Sequence, residues 1–253
     1  MKLTVLGCGT STGVPVIGCH CTVCSSDDAR NKRTRSSLLV HTCGKNLLID
    51  TSTDLRTQAL ANRVERVDAV LFTHPHADHI HGIDDLRSFN MVQKDAIPCY
   101  GNPFTIGRIK TMFDYIFSDD GMDGWKPNLT ASEVSGPFEA AGVKITPIDI
   151  YHGRAQILGY RIGKAAYVTD CSSIPAESIR LLEGIEVLVI GALRHKPHPT
   201  HFTIEQAIEV AGMLKPGRTL LTHLGHGLDY ERDNGLLPKG VELAYDGMTI
   251  DLE

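Results

Sequence analysis

A chain of 253 residues, 42% hydrophobic and 22% charged, has the composition of an ordinary globular protein and the length for one large α/β domain or two small ones. Its formal charge of −5 excludes a protein that wraps a polyanion, which would carry a basic stripe to displace counterions. Small phosphate ligands stay open, because a bound metal supplies its own positive charge.

In chain order, the first predicted strand is Lys2–Leu6. That apolar run is too short for a signal peptide, and no stretch approaches the roughly 18 apolar residues of a membrane helix, so a cytoplasmic protein with no membrane partner is expected. Three of the seven cysteines then crowd into Cys19-His20-Cys21-Thr22-Val23-Cys24. An odd count clustered this way suits metal binding in a reducing compartment better than a disulfide framework. Thiolates at C-x-C-x-x-C spacing can take three corners of a zinc tetrahedron, with the fourth ligand from elsewhere. His20 and His226 are both visible for that corner, and His226 is preferable because His20 is crowded by its own neighbours. Cys8, Cys43, Cys99 and Cys171 read as ordinary buried cysteines.

Strands at Ser37–Thr42 and Asn46–Asp50, a helix at Asp54–Arg63 and a strand at Val67–Thr73 come next. A helix at Ile80–Val92, a strand at Ile97–Tyr100 and a helix at Pro103–Phe117 complete the first half. Ser118–Pro127 is turn-rich and carries the only tryptophan, Trp125; it reads as an exposed loop, or else as a lid over substrate. The second half offers strands at Val143–Ile150, Leu158–Ile162, Ala165–Thr169, Val187–Ile190, Thr219–Thr222 and Thr249–Leu252. Its helices are Pro175–Glu183 and Thr203–Leu214, the latter opened by a Thr203/Gln206 capping box and closed by Pro216-Gly217. Strand pairs precede strand–helix units in each half. That order predicts a single α/β domain over residues 1–253, built as a four-layer αββα sandwich.

Histidine is the unusual residue: twelve in all, four of them within the eight residues from His74 to His81. His74-Pro75-His76-Ala77-Asp78-His79 follows one apolar strand and precedes a helix. A turn there can aim His74 and His76 one way and Asp78 and His79 another, giving two adjacent pockets with donors for Zn²⁺, Mn²⁺ or Fe²⁺. Three further strands end in a ligand-type residue: His152, Asp170 and His223. Strand ends converge at one edge of a sandwich, so these side chains can meet the turn. Asp170 suits a bridge between two cations, with His152 completing the first pocket and His223 the second.

This pattern resembles the metallo-β-lactamase superfamily of binuclear hydrolases over nearly the whole chain. The resemblance implies that His74, His76 and His152 hold one metal, that Asp78, His79 and His223 hold the other, and that Asp170 bridges them. Asp50, ending Leu47-Leu48-Ile49-Asp50, looks like the superfamily's carboxylate behind a ligand imidazole, although a plain strand-end aspartate is the other reading.

With the lead-in Val14-Pro15-Val16-Ile17-Gly18-Cys19, the Cys-x-Cys-x-x-Cys loop and His226 three residues after His223, the chain resembles the PhnP phosphodiesterases associated with the carbon–phosphorus lyase pathway. That likeness implies two active-site Zn²⁺ or Mn²⁺ ions, one structural Zn²⁺ on Cys19, Cys21, Cys24 and His226, and hydrolysis of small cyclic phosphodiesters. The substrates would be of the phosphoribosyl 1,2-cyclic phosphate or 2′,3′-cyclic nucleotide type, attacked at phosphorus after the ions acidify a shared water. The catalytic residues expected are His201, as a non-ligand general acid, and Asp78. Arg194, His195, Lys196 and His198, in the loop before His201, read as a solvated basic loop or as phosphate contacts.

The segment from Pro103 to Lys126 is longer than in the pathway enzyme, and Gly82-Ile83-Asp84-Asp85-Leu86-Arg87 is more like a sister branch. The chemical class therefore carries over better than the pathway. Rival readings are a metal-dependent esterase or lactonase, a tRNA 3′-processing ribonuclease, and a non-catalytic metal- or nucleotide-binding module. No protruding basic arm is visible for tRNA, so no long nucleic-acid partner is expected; a homodimer is a possible assembly.

Overall fold

The computed structural model describes residues 1–118 and 126–252. Lys2–Gly7 (β1), Ser37–Thr42 (β2) and Lys45–Ile49 (β3) pair antiparallel. Between β2 and β3 the turn is Cys43-Gly44, with φ of 51° and 70°, the left-handed pair that matches the twist of a two-residue hairpin. Cys43 is therefore exposed at a hairpin tip, which corrects the expectation that it is buried; Cys8, Cys99 and Cys171 are buried.

Leu55–Ala61 (α1), Ala69–Leu71 (β4), Ala77–Ile80 (α2), Leu86–Gln93 (α3), Ile97–Gly101 (β5), Pro103–Met112 (α4), Asp114–Phe117 (α5) and Leu129–Glu133 (β6) follow, with β3 to β6 parallel. The second half repeats the scheme. Phe138–Ala140 (β7), Val143–His152 (β8), Ala155–Ile162 (β9) and Ala165–Val168 (β10) are antiparallel. Ala176–Leu182 (α6), Val187–Gly191 (β11), Ile204–Leu214 (α7), Arg218–Thr222 (β12), Tyr230–Asn234 (α8) and Val241–Leu243 (β13) then make β10 to β13 parallel. Thr249–Asp251 (β14) returns to pair with β1. The strand orders are β14-β1-β2-β3-β4-β5-β6 and β13-β12-β11-β10-β9-β8-β7.

Strand periodicity separates the layers. Leu47 and Ile49 share a core with Ile148, Tyr160 and Val168 of the other sheet, while Leu48 between them packs with Leu55, Leu86 and Ile109 of the helices. Both faces of β3 are covered, which is why it reads as a continuous apolar run. Each leucine buried this way contributes roughly 1.5–3 kcal/mol. Across the molecule, α7 buries Ile204, Ala207, Val210, Ala211 and Leu214, a helical stripe against the second sheet. The result is the αββα sandwich that the order of elements predicts. No helix among the described residues is long and apolar enough to cross a membrane.

Several elements differ from expectation. The helix predicted at Ile80–Val92 is broken at Gly82, whose N–H leaves the helical ladder to donate to the Thr51 carbonyl at 2.9 Å. A Cβ at Gly82 would stand 2.1 Å from the Ser52 carbonyl oxygen, so this close approach requires glycine. The helix predicted at Pro103–Phe117 divides at Phe113. Strands β6, β7 and β13 and helix α8 were not expected: β7 and β13 have three residues each, α8 has five, and β6 is a mostly exposed edge strand. Such pieces are too short or too polar to carry a period. Strand β8 runs on to His152, so that this histidine is part of the strand rather than beyond it. Trp125 and most of the candidate lid lie outside the described residues.

Candidate metal centre

Parallel strands end at a common edge, and the chemistry-bearing residues collect there. Asp50 follows β3, His74 stands three residues past β4, Asp170 two past β10 and His223 directly past β12. Asp50, Asp170 and His223 have φ of 62°, 53° and 57°. Left-handed backbone at a non-glycine residue costs on the order of 1–3 kcal/mol, and the surrounding fold holds it in place at all three positions.

His74, His79 and His152 each have Nδ1 held against a protein group. His79 Nδ1 lies 2.7 Å from Asp50 Oδ2, and Asp50 also accepts from the Thr73 N–H and hydroxyl, both at 2.8 Å. His152 Nδ1 donates to the Thr200 carbonyl at 2.9 Å, and His74 Nδ1 is 3.0 Å from Thr73 Oγ1. These bonds leave Nε2 of His79 and His152 available, while Nε2 of His74 lies 3.0 Å from Nδ1 of His76.

The free donor atoms fall into two sets, His74 with His76 and His152, and Asp78 with His79, Asp170 and His223. Asp170 Oδ1 is 3.5 Å from His79 Nε2, while its Oδ2 is 3.1 Å from His223 Nε2 and 3.9 Å from His74 Nε2. Asp170 also groups with His152 and His201, so it faces both sets. Nitrogen and oxygen ligands about 2.0–2.2 Å from a tetrahedral ion sit about 3.4 Å from one another, within the range of these separations. His79 Nε2 and both nitrogens of His223 are buried without a hydrogen-bond partner, although carboxylate oxygens lie nearby. Buried polar atoms that converge without hydrogen-bond geometry fit a shared cation.

The electrostatics agree. Burial opposes the charge on Asp78 and Asp170, but the surrounding His79 and His223 outweigh it and hold both carboxyls below the usual range. Burial keeps His74 and His76 neutral, with neighbouring imidazoles adding to the effect. Ionised aspartate and neutral histidine are the ligand forms. His79 differs: burial disfavours its proton, yet Asp170, Asp50 and Asp78 raise its pKa well above the ordinary value. A cation would displace that proton from Nε2.

The thiol loop makes a second, separate cluster. Nδ1 of His226 lies 3.3, 3.5 and 3.6 Å from Sγ of Cys19, Cys21 and Cys24. For bonds of about 2.3 Å to sulfur and about 2.0 Å to nitrogen, a tetrahedral zinc sets this edge at about 3.5 Å. His226 rather than His20 completes the group. The Cys21 thiol is pulled down to about 6, chiefly by the Cys24 backbone N–H, which favours the thiolate.

His201 stacks on His223 with ring centroids 4.9 Å apart, and its Nδ1 is 3.8 Å from Asp170 Oδ2. Burial, aided by His223, His152 and His198, lowers its pKa to about 3. All residues expected at the two clusters are thus gathered, and Asp50 lies against Nδ1 of His79. Thr73 and Thr200, which fix His74, His79 (through Asp50) and His152, were not expected. Their roles run through a hydroxyl and a carbonyl, and no motif marks them. His198 is also close: its Nδ1 accepts from the Thr200 N–H at 3.3 Å, and its ring is 4.9 Å from that of His201.

Residues 45–224 match the family described as Beta-lactamase superfamily domain. A solved structure described as a new diphosphatase from the PhnP family is 44% identical, with a TM-score of 0.92 over 100% of this chain and 98% of that one. Zn²⁺-bound PqqB from Methylobacterium extorquens superposes with a TM-score of 0.81 at 22% identity, covering 100% of both chains, which is likeness of fold. A protein of Porphyromonas gingivalis named octanoyltransferase is 42% identical over 98% of this chain and 51% of its own length. The chain thus spans about half of that relative. On the family match and the whole-length likeness to a PhnP-family structure, the chain belongs to the beta-lactamase superfamily and has the metallo-β-lactamase fold.

Proposed function

We propose that the chain is a binuclear metal-dependent hydrolase of small phosphodiesters, with cyclic phosphodiesters as its substrate class. The observation that carries this reading is one carboxylate, Asp170, facing two sets of converging donors. His74, His76 and His152 would hold one ion, Asp78, His79 and His223 the other, with Asp170 between them; Zn²⁺ and Mn²⁺ both suit these nitrogen and oxygen ligands. Ions held there would supply a water acidic enough to ionise at neutral pH and positive charge for the phosphate oxygens.

The chain's own residues do the rest. Asp50, Thr73 and Thr200 keep the ligand imidazoles in one tautomer and orientation. His201, beside Asp170 and outside both ligand sets, is placed to protonate the departing ester oxygen. Burial and the neighbouring imidazoles lower its pKa, and an anionic phosphate bound beside it would raise it again. Proton transfer of this kind contributes roughly 100- to 10,000-fold.

The diphosphatase neighbour at 44% identity favours a second reading, a diphosphate linkage as the bond cleaved. Both reactions break a P–O bond at a phosphorus bearing unesterified oxygens, and the same donor sets serve either. Turnover of 2′,3′-cyclic AMP, a nucleoside diphosphate ester, bis-p-nitrophenyl phosphate and a lactone panel, each with added Mn²⁺ or Zn²⁺, tests the assignment. His76→Ala is the control. Phosphodiester turnover that vanishes in the variant supports the first reading, turnover of the diphosphate ester alone supports the second, and lactone turnover alone overturns both.

A further inference from the structure

Asp170 holds the shared position between the two donor sets, yet its carboxylate is tied down lightly. The Thr169 hydroxyl donates to Asp170 Oδ1 at 2.6 Å. The imidazole nitrogens around the carboxylate stand 3.1 Å or more away, and Nε2 of His79 and of His223 make no hydrogen bond with it. Asp50, by contrast, is met by the Thr73 N–H, the Thr73 hydroxyl and His79 Nδ1.

The backbone that carries Asp170 is closely set. Its φ is 53°, the next carbonyl, of Cys171, accepts from the Phe202 N–H at 2.7 Å, and the Ser172 N–H donates to the Tyr151 carbonyl at 2.7 Å. Gly191, at the end of β11, approaches so near that a Cβ there would stand 3.0 Å from the Asp170 nitrogen and 3.4 Å from the Thr169 Cα. None of this sets rotation about the Asp170 Cβ–Cγ bond, a broad torsion that exchanges two chemically equivalent oxygens. Thr169 sets it. Its side chain is buried, and branching at Cβ leaves it few rotamers. With Oδ1 tied to that hydroxyl, Oδ2 lies 3.1 Å from His223 Nε2 in one donor set and 3.9 Å from His74 Nε2 in the other.

We infer that Thr169 is a positioning residue for the two-ion centre: its hydroxyl makes the two oxygens of Asp170 unequal and keeps Oδ2 as the one turned to both donor sets. A hydroxyl does this without bringing a positive charge that would compete with the ions for the carboxylate. Valine, of the same shape, would leave the carboxylate free to turn. The inference rests on the proposed two-ion hydrolase for its use, and its test is ion binding, which is read apart from turnover.

The comparison is Thr169→Val against Thr169→Ser, with the thiol-loop zinc in place and the centre stripped and titrated with Mn²⁺, a poor match for thiolates. Electron paramagnetic resonance counts the ions bound and reads the magnetic coupling of a bridged pair. The parent and Thr169→Ser are expected to take up two coupled ions with affinities within about threefold of each other, whereas Thr169→Val should bind at least one ion roughly tenfold more weakly and lose the parent's coupled signal. Equal affinities and an unchanged signal in Thr169→Val overturn the inference. So does a Thr169→Ser as weak as Thr169→Val, because the methyl rather than the hydroxyl would then matter. A parent that binds two coupled ions but hydrolyses no phosphodiester ends the proposed function and leaves this comparison decisive. A parent that binds a single ion overturns the shared role of Asp170 and this inference with it. Should Thr169→Val not fold, the Thr169 hydroxyl proton of the parent decides by NMR. Slow exchange with solvent both before and after Zn²⁺ is added upholds the bond to Asp170, and free exchange once the ions are bound overturns it.

Discussion

The metal centre and the thiol loop are both donor clusters, but they are built in opposite ways. The donors of the first come from four separate stretches of chain, five of its seven residues are buried, and several have a hydrogen bond that fixes their direction. In the thiol loop three of the four donors fall within six residues, and two of those, with His226, remain partly or fully exposed. Val14, Val23 and Cys24 are the only buried residues of its small apolar cluster. The fold organises the first site and carries strain at Asp50, Asp170 and His223 to do so; in the second, the ion would organise the loop.

Removing the shared carboxylate should have the largest effect. Asp170→Ala is expected to cut turnover by roughly a thousandfold and to leave one active-site ion or none, while circular dichroism and the unfolding transition stay native-like. A variant that keeps two active-site ions by elemental analysis would contradict the shared role. Cys24→Ser should act differently. It would lose the third zinc, and amide exchange in residues 14–26 should speed up at least roughly tenfold, while β10 to β12 keep their protection. Exchange that rises equally throughout would mean that the thiol cluster supports the whole fold.

The contrast also governs what the sequence reveals. The seven donors and the three thiols are legible because ligand chemistry is local: a histidine-rich turn after an apolar strand, single ligand-type residues at strand ends, and cysteines at close spacing. The αββα order is legible because β2 to β4 and β10 to β12 are apolar runs buried on both faces. Thr73 and Thr200 are not, since what places them is a backbone path that closes only in three dimensions. Gly82 is similar: an isolated glycine in a helical pattern is ordinary, and the Ser52 carbonyl that forbids a side chain there is thirty positions away. Cys43 misleads because its apolar character suggests the core, whereas the hairpin puts it at the tip.

Asp50 sharpens the comparison at an intermediate magnitude. In Asp50→Asn the amide can keep one bond to Thr73, but it loses the negative charge opposite His79 and can present N–H to N–H. Losing such a partner typically costs roughly 10- to 100-fold in metal affinity or activity. Titration of the ion-free variant with Zn²⁺ measures it, and an affinity equal to that of the parent would reduce Asp50 to a strand-end residue.

The smallest effect expected is one of pH, on the ion-free protein. Asp78 and Asp170, held below the usual carboxylate range by His79 and His223 despite burial, stabilise the fold above an unfolded value of about 3.9 and lose that contribution as pH falls through their folded values. His79 runs the other way. Its pKa, raised in spite of burial by Asp170, Asp50 and Asp78, gives stability that is fully present below about 6.5 and lost as pH rises through the folded value. Taken alone, these three groups favour the window from about pH 4 to 6.5, against which His74, His76 and His201, whose pKa values burial lowers, cost stability as pH falls below about 6.5. A cation at Nε2 competes with the His79 proton, so the stabilisation gained on adding zinc should grow from about pH 6 to about pH 8. Thermal unfolding with and without zinc across that range reads the difference. Because the thiol cluster also binds zinc, the measurement belongs in Cys24→Ser, where a gain that shrinks with rising pH would show that His79 does not give up its proton to the ion.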